Sequence, residues 1–160
     1  ASVWHIAGGY LMAAADIELQ MITYQEGAAT AVQNAASGFI QGVTVSLAEA
    51  RNFIQSGHLI CLGVMDTERN PQFPDVPTCQ EQGYDITYFT QRGMAVPKGI
   101  DPAIKARLEE ACEAAIADEA FVEFMANNGQ TIAYQNAEEY TAFLEQSLTD
   151  VGAAMEVLGL

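Results

Sequence analysis

Basic side chains are scarce in this sequence: six Lys and Arg stand against 21 Asp and Glu, a formal charge of −15. No basic patch interleaved with aromatics is available to hold a phosphate backbone, which argues against a nucleic-acid partner. Anionic membrane surfaces repel such a chain. Cysteine is sparse as well. Cys61, Cys79 and Cys112 make no Cys-x-x-Cys pair, no zinc spacing and no disulfide framework; Cys61, in an apolar run, and Cys112, on a helical face, read as small buried hydrophobes. The two histidines, His5 and His58, fall in separate elements, and neither Gly-x-Ser-x-Gly nor a glycine-rich phosphate loop is present. The carboxylate pairs Glu109-Glu110 and Glu138-Glu139 read as solvated helix surface, not as a dyad with split pKa values. We therefore expect no enzyme, no metal and no cofactor. No apolar run approaches a membrane span, and the first residues lack the basic region of a signal peptide. The abrupt opening Ala1-Ser-Val-Trp-His5 reads like a piece of a longer precursor.

What is there is globular. Half the 160 residues are hydrophobic, with 13 Gly and only five Pro, which suits one domain or two small lobes with a sizeable core. The charge is uneven. Residues 101–160 carry 12 acids against Lys105 and Arg107, a net of −10, whereas residues 1–100 carry 9 acids against four basic residues, a net of −5.

Periodicity divides the chain at a proline-stiffened seam, residues 60–78, where Pro71, Pro74 and Pro77 exclude a continuous helix or central strand. Before the seam, Ser2 caps a helix to about Ala15, and residues 17–24 alternate as a strand. Gly27 opens a helix of small residues, and residues 43–45 form a short strand. Ser46 and Glu49 make a capping box for a helix that stops at Gly57, and residues 58–65 form another strand. This α-β-α-β-α-β order predicts an α/β fold with a mostly parallel sheet flanked by helices. After the seam, a short helix starts near Thr78, and residues 84–90 and 93–96 are extended. Asp101 with Pro102, Asp118 and Asn136 start three acid-rich helices, and residues 131–134 form a short strand.

Three loops, Ala1–His5, Tyr24–Gly27 and Val45–Glu49, lead into helix N-termini. Two of them would lie on the carboxyl edge of a parallel sheet, where ligands bind in open α/β folds. Exposed amides and the positive dipole end hold a carboxylate without Lys or Arg.

The seam also carries a resemblance. Residues 68–78, with Phe73-Pro-Asp-Val-Pro-Thr78 at their end, are followed by Gly83-Tyr84. They are similar to the signature of the extracytoplasmic solute receptors of the tripartite tricarboxylate transporter family, the Bug-type receptors. Arg92-Gly93, Ala95-Val-Pro-Lys-Gly99, Ala117-Asp118, Gly129 and residues 136–140 resemble the segments that follow. His5-Ile-Ala-Gly8 and Tyr24-Gln-Glu-Gly27 resemble segments that precede, so the likeness is collinear from Ala1 to Leu160. It implies the C-terminal portion of a two-lobed, periplasmic-binding-protein-like (type II) fold. Residues 1–87 would be the second α/β ligand-binding lobe. Residues 88–160 would be a crossing strand and helices that pack on a missing N-terminal lobe.

The function so implied is to bind a small carboxylate-containing solute in an interlobe cleft, in the periplasm, and deliver it to a membrane permease. The implied contacts are Ser2, Val3, Trp4, His5, Tyr24, Gln25, Glu26, Gly27, Ala28, Ser46 and Arg92. Two positions depart from the family pattern: Trp4 replaces a small residue, and Glu26 replaces a Gly beside Gln25. A bulky ring and an added charge disfavour a small polyanion and suit a larger monoacid or an amine-bearing ligand. The alternative reading is a non-catalytic interaction or dimerisation module derived from such a receptor, with a homodimer as its product.

Overall fold

The computed structural model describes residues 2–160; Ala1, the first residue of the expected Ala1–His5 loop, and the side chains of Ala153 and Val157 lie outside the description. Six α-helices carry the architecture: α1 Val3–Ala15, α2 Ala28–Ala36, α3 Leu47–Gln55, α4 Pro102–Ile116, α5 Glu119–Asn127 and α6 Ala137–Val157. Local chemistry starts most of them. The hydroxyl of Ser2 accepts from His5 N at 3.3 Å, and Asp101 Oδ1 accepts from Ala103 N at 2.7 Å. Asp118 Oδ1 accepts from Ala120 N and Phe121 N, and Asn136 Oδ1 from Glu138 N and Glu139 N. The short helix expected near Thr78 is a single 3-10 turn, Gln80–Gln82.

The expected α/β fold, a mostly parallel sheet inside a two-lobed type II architecture, is not what the chain adopts. Among the described residues there is no strand, neither at 17–24, 43–45, 58–65 or 131–134 nor in the crossing segment from 88. The one ladder element is an isolated parallel bridge between Val64 and Thr78. In it Val64 N donates to Pro77 O at 3.0 Å and Cys79 N donates to Val64 O at 2.8 Å. Apolar alternation reports side-chain direction, but a strand also needs a neighbour to take its amides and carbonyls. These runs lack that neighbour. Ile60 and Leu62 are 84% and 80% exposed, where a sheet covered by helices would bury them.

The chain forms two compact units. The first comprises Ala1–Thr90 with Asp150–Leu160 and holds every buried side chain among the described residues: Ala7, Val32, Ala50, Thr78, Cys79, Ile86 and Ala154. Its α2 and α3 pack together. The buried Gly8 and Gly9 let other segments close on α1. Met21 fills the space over Gly8, and the last turns of α6 lie over Gly9. Tyr10 and Tyr88 meet with ring centroids 5.0 Å apart.

The second unit, Gln91–Thr149, contains α4, α5 and most of α6. None of its described side chains is buried. Glu109 Oε1 accepts from Ala137 N at 3.1 Å, joining α4 to the start of α6. The Tyr140 ring covers Gly93.

In the first unit the seam is latched. Arg69 Nε donates to both carboxylate oxygens of Glu81, at 3.0 and 2.8 Å, and Arg69 Nη1 donates to Pro74 O at 2.9 Å. Glu81 Oε2 also accepts from Thr78 N at 2.8 Å, while Thr78 Oγ1 accepts from Glu81 N at 3.1 Å. The Arg69 hydrogen bond, and then the Thr78 amide, hold the Glu81 carboxyl below its usual range. A carboxyl whose folded pKa is depressed stabilises the fold above its unfolded pKa, and that contribution is lost as pH falls through the folded value. We expect the latch to be intact at neutral pH and to open at acid pH, below the ordinary carboxylate range. Hydrogen exchange of the Thr78 amide against pH checks this. Exchange in Glu81→Gln that keeps the wild-type protection and acid profile would refute it.

Candidate anion-binding site

The three helix N-termini of the first unit differ in what they leave free. At α1, Ser2 is extended (φ −90°, ψ 164°), and its hydroxyl is committed to His5 N. That leaves the first-turn amides of Val3 and Trp4 without a side-chain cap, as at any helix start. Ser2 and Val3 are exposed, and Trp4 and His5 half-buried.

At α2 the cap is Gly27 with φ 96° and ψ −175°, and no side chain caps the helix. That backbone conformation belongs almost only to glycine. The amides of Ala28, Ala29 and Thr30 therefore face outward with no carboxylate or hydroxyl of their own. Gln25 and Glu26 form the exposed turn just before, and Ala28 is half-buried. The Tyr24 hydroxyl oxygen is buried and has no hydrogen-bond partner.

At α3 the N-terminus is already occupied. Ser46 Oγ accepts from Glu49 N, and both Ser46 N and Ser46 Oγ donate to Glu49 Oε2, at 3.0 and 2.8 Å. The Glu49 carboxylate thus takes the positive end of α3, and Ser46 has no hydroxyl proton to offer a ligand. The capping box expected there forms, and it weakens the case for Ser46 as a contact.

One hydrogen bond that the sequence did not reveal ties two of these starts together. Thr44 Oγ1 donates to Trp4 O at 2.8 Å, across 40 residues. It brings the first turn of α1 next to the approach to Ser46. Met21, three residues before Tyr24, packs against Gly8 of α1. Thr44 lies between two valines in an apolar run, so no local pattern marks it. Arg92 belongs to the second unit, where it is exposed beside Gly93.

Two surface depressions lie elsewhere and are shallow. One is lined by Arg107, Glu110, Ala111, Ala114, Ala115 and Asp118, the other by Gln80, Gly83, Tyr84 and Asp85. Neither gathers groups that would orient a ligand, so the uncapped amides are the better site. His58 Nδ1 lies 2.8 Å from Ser56 Oγ, but that hydroxyl also contacts Phe53 O, in a local exposed turn after α3. Among the described residues no group of three His, Cys, Asp or Glu is placed to hold a metal.

The profile of the "Tripartite tricarboxylate transporter family receptor" matches residues 2–160. A "UPF0065 protein in tcbD-tcbE intergenic region" of Pseudomonas sp. (strain P51) is 31% identical over 150 residues, 91% of this chain and 44% of that protein. "Protein BugT" of Bordetella pertussis is 28% identical over 131 residues, covering 81% of this chain and 40% of its own length. Among solved structures, a TctC solute binding protein from Polaromonas, without ligand, superposes with a TM-score of 0.78 at 28% identity. That match covers 99% of this chain and 54% of the other. R. palustris Rpa4515 with adipate superposes with a TM-score of 0.81 at 17% identity, covering 99% and 53%, a likeness of fold only. The chain spans about half the length of the relatives it matches.

Proposed function

The chain belongs to the tripartite tricarboxylate transporter receptor family, and from that membership we propose that it is the solute-holding part of a receptor for a small organic carboxylate. Its role is non-enzymatic. The receptor presents the solute to a membrane permease from the extracytoplasmic side; no helix among the described residues is long and apolar enough to cross a membrane.

The observation that carries the reading is the bare N-terminus of α2 behind Gly27. With only six basic residues in the chain, a carboxylate is best held by backbone amides and a helix dipole. The first turn of α1 adds a second set of amides, and Trp4 adds a flat apolar wall suited to a hydrocarbon body. The Tyr24 hydroxyl, buried and without a hydrogen-bond partner, becomes a further donor only if the ring turns outward. Ser46 is the weakest of the proposed contacts, and Arg92 is proposed on the resemblance alone. Glu26, exposed just before Gly27, competes for the same positive field and disfavours a second carboxylate on the solute.

Calorimetric titration of the whole receptor with mono-, di- and tricarboxylates and the matching amides tests this. Acids should bind and their amides should not. In Glu26→Gly, polyanion affinity should rise by roughly two- to fivefold, the range of about 0.3–1 kcal/mol for a charge at a helix end. No binding of any acid, or equal binding of acid and amide, rules out the proposal. An unchanged polyanion affinity in a folded Glu26→Gly removes the gatekeeping role alone.

A second reading, an interaction module, is favoured by one observation. In the second unit Ile104, Val122, Phe124, Leu144 and Leu148 are exposed, with Leu148 at 79%. Apolar faces on that scale recruit a partner. Sedimentation equilibrium at micromolar concentration should then show a species heavier than the 17.2 kDa monomer. A clean monomer would count against it.

A further inference from the structure

Cys61 and Cys79 converge on Gly63. Cys61 Sγ lies 3.6 Å from the Gly63 carbonyl oxygen. Cys79 Sγ lies 3.8 Å from the point where a Cβ on Gly63 would stand. Residue 63 has no side chain, and the space its Cβ would take is met by Gln82 Nε2, which donates to Leu62 O at 3.1 Å and to Thr78 O at 3.3 Å. Cys79 is 7% exposed and anchored, since its N–H closes the Val64–Thr78 bridge. Cys61 is half-buried, three residues before Val64 in the sequence. Its run, residues 59–63, has no ladder partner among the described residues, and its neighbours Ile60 and Leu62 face outward. A disulfide needs Cα atoms about 4.4–6.8 Å apart. No ladder holds this run, and releasing the hydrogen bond from Gln82 Nε2 to Leu62 O lets it move to meet that requirement, which a central strand could not do.

We propose that Cys61 and Cys79 are a redox pair that closes to a disulfide, tying residues 61–79 into a covalent loop around the proline-rich seam. The oxidant is a low-molecular-weight disulfide. The Cys61 thiolate attacks one of its sulfurs, giving a mixed disulfide and releasing one thiolate. The Cys79 thiolate then attacks Cys61 Sγ and expels the second. The protein loses two electrons and two protons; the oxidant takes up both and leaves as two thiols. Burial pushes both thiols up, so exchange quickens as pH rises toward their range. The bridge adds a covalent latch to the Arg69–Glu81 pair across the same segment. An oxidising compartment would keep it closed.

The three cysteines fall on separate tryptic peptides, residues 52–69, 70–92 and 108–160, bounded by Arg51, Arg69, Arg92 and Arg107. The test equilibrates the folded chain in mixtures of oxidised and reduced glutathione, alkylates the remaining thiols and weighs the peptides. Expected is a crosslink between 52–69 and 70–92, a chain about 2 Da lighter than the reduced form, and an alkylated Cys112. Cys61→Ser and Cys79→Ser should each abolish the crosslink, and Cys112→Ser should keep it. The crosslink should also form at an oxidised-to-reduced ratio about tenfold lower than in the urea-unfolded chain. Three results would overturn the proposal: a glutathione adduct that persists on Cys61, a crosslink that includes Cys112, or equal redox midpoints for folded and unfolded chain.

Discussion

Replacing Gly9 with Ala is expected to destabilise the first unit, and replacing its neighbour Gly8 to leave it nearly unchanged. Both glycines are buried in α1. Alanine at either position gains helix propensity, up to about 1 kcal/mol. What the new methyl meets decides the sign. At Gly9 it would stand 2.9 Å from the Ala154 carbonyl oxygen and 2.9 Å from Leu158 Cδ1. A backbone carbonyl in a helical turn cannot step aside alone, so α6 must shift, an overpacking cost of about 1–3 kcal/mol. At Gly8 the obstacle is the thioether end of Met21, which rotates away more cheaply. Urea unfolding of the two variants checks this. Equal midpoints for Gly8→Ala and Gly9→Ala would mean that the end of α6 does not depend on close approach at Gly9.

Replacing Gly27 with Ala should cost both stability and solute affinity. No atom lies within 4 Å of the position its Cβ would take, so no clash is involved. The cost is conformational: a φ of 96° with ψ near 180° is close to forbidden for an L-residue, about 1–3 kcal/mol. The turn relaxes to relieve that strain, and the amides of Ala28, Ala29 and Thr30 turn away from their common direction. If those amides hold the carboxylate, Kd in the whole receptor should rise by about tenfold or more, the equivalent of 1.4 kcal/mol. Gly57→Ala supplies the control. It too has positive φ, 74°, and open space around its Cβ, but it lies beyond the far end of α3. Its stability should fall while affinity holds. A matching loss of affinity in Gly57→Ala would make the effect global and remove α2 from the binding reading.

How much of this was legible follows from the range of each interaction. All six helices were expected where they occur, because most of their start signals act over two or three residues. Ser2, the Ser46–Glu49 box, Asp101, Asp118 and Asn136 each satisfy amides of their own first turn. The candidate site was legible to the same depth: residues 24–28 and 46 were placed at helix starts from their own neighbours. What those starts offer was not. That Glu49 fills the α3 terminus follows from the same box that caps it, yet that Gly27 stands bare depends on the absence of any approaching side chain.

The strands failed for the opposite reason. Val43-Thr-Val45 and residues 58–65 have the composition and alternation of strands, but pairing is a property of two segments. Only Val64 and Thr78 meet in a ladder among the described residues. By itself the sequence determined the acidic surface, the six helices and their caps, and the motifs that mark the family, since each is settled by composition or by residues a few positions apart. Only the tertiary structure decided which runs pair, that Thr44 reaches the Trp4 carbonyl, and that α6 returns to lie on Gly9. Those contacts join residues from 14 positions apart, at Val64 and Thr78, to 40 or more, and no periodicity within either partner encodes where the other will be.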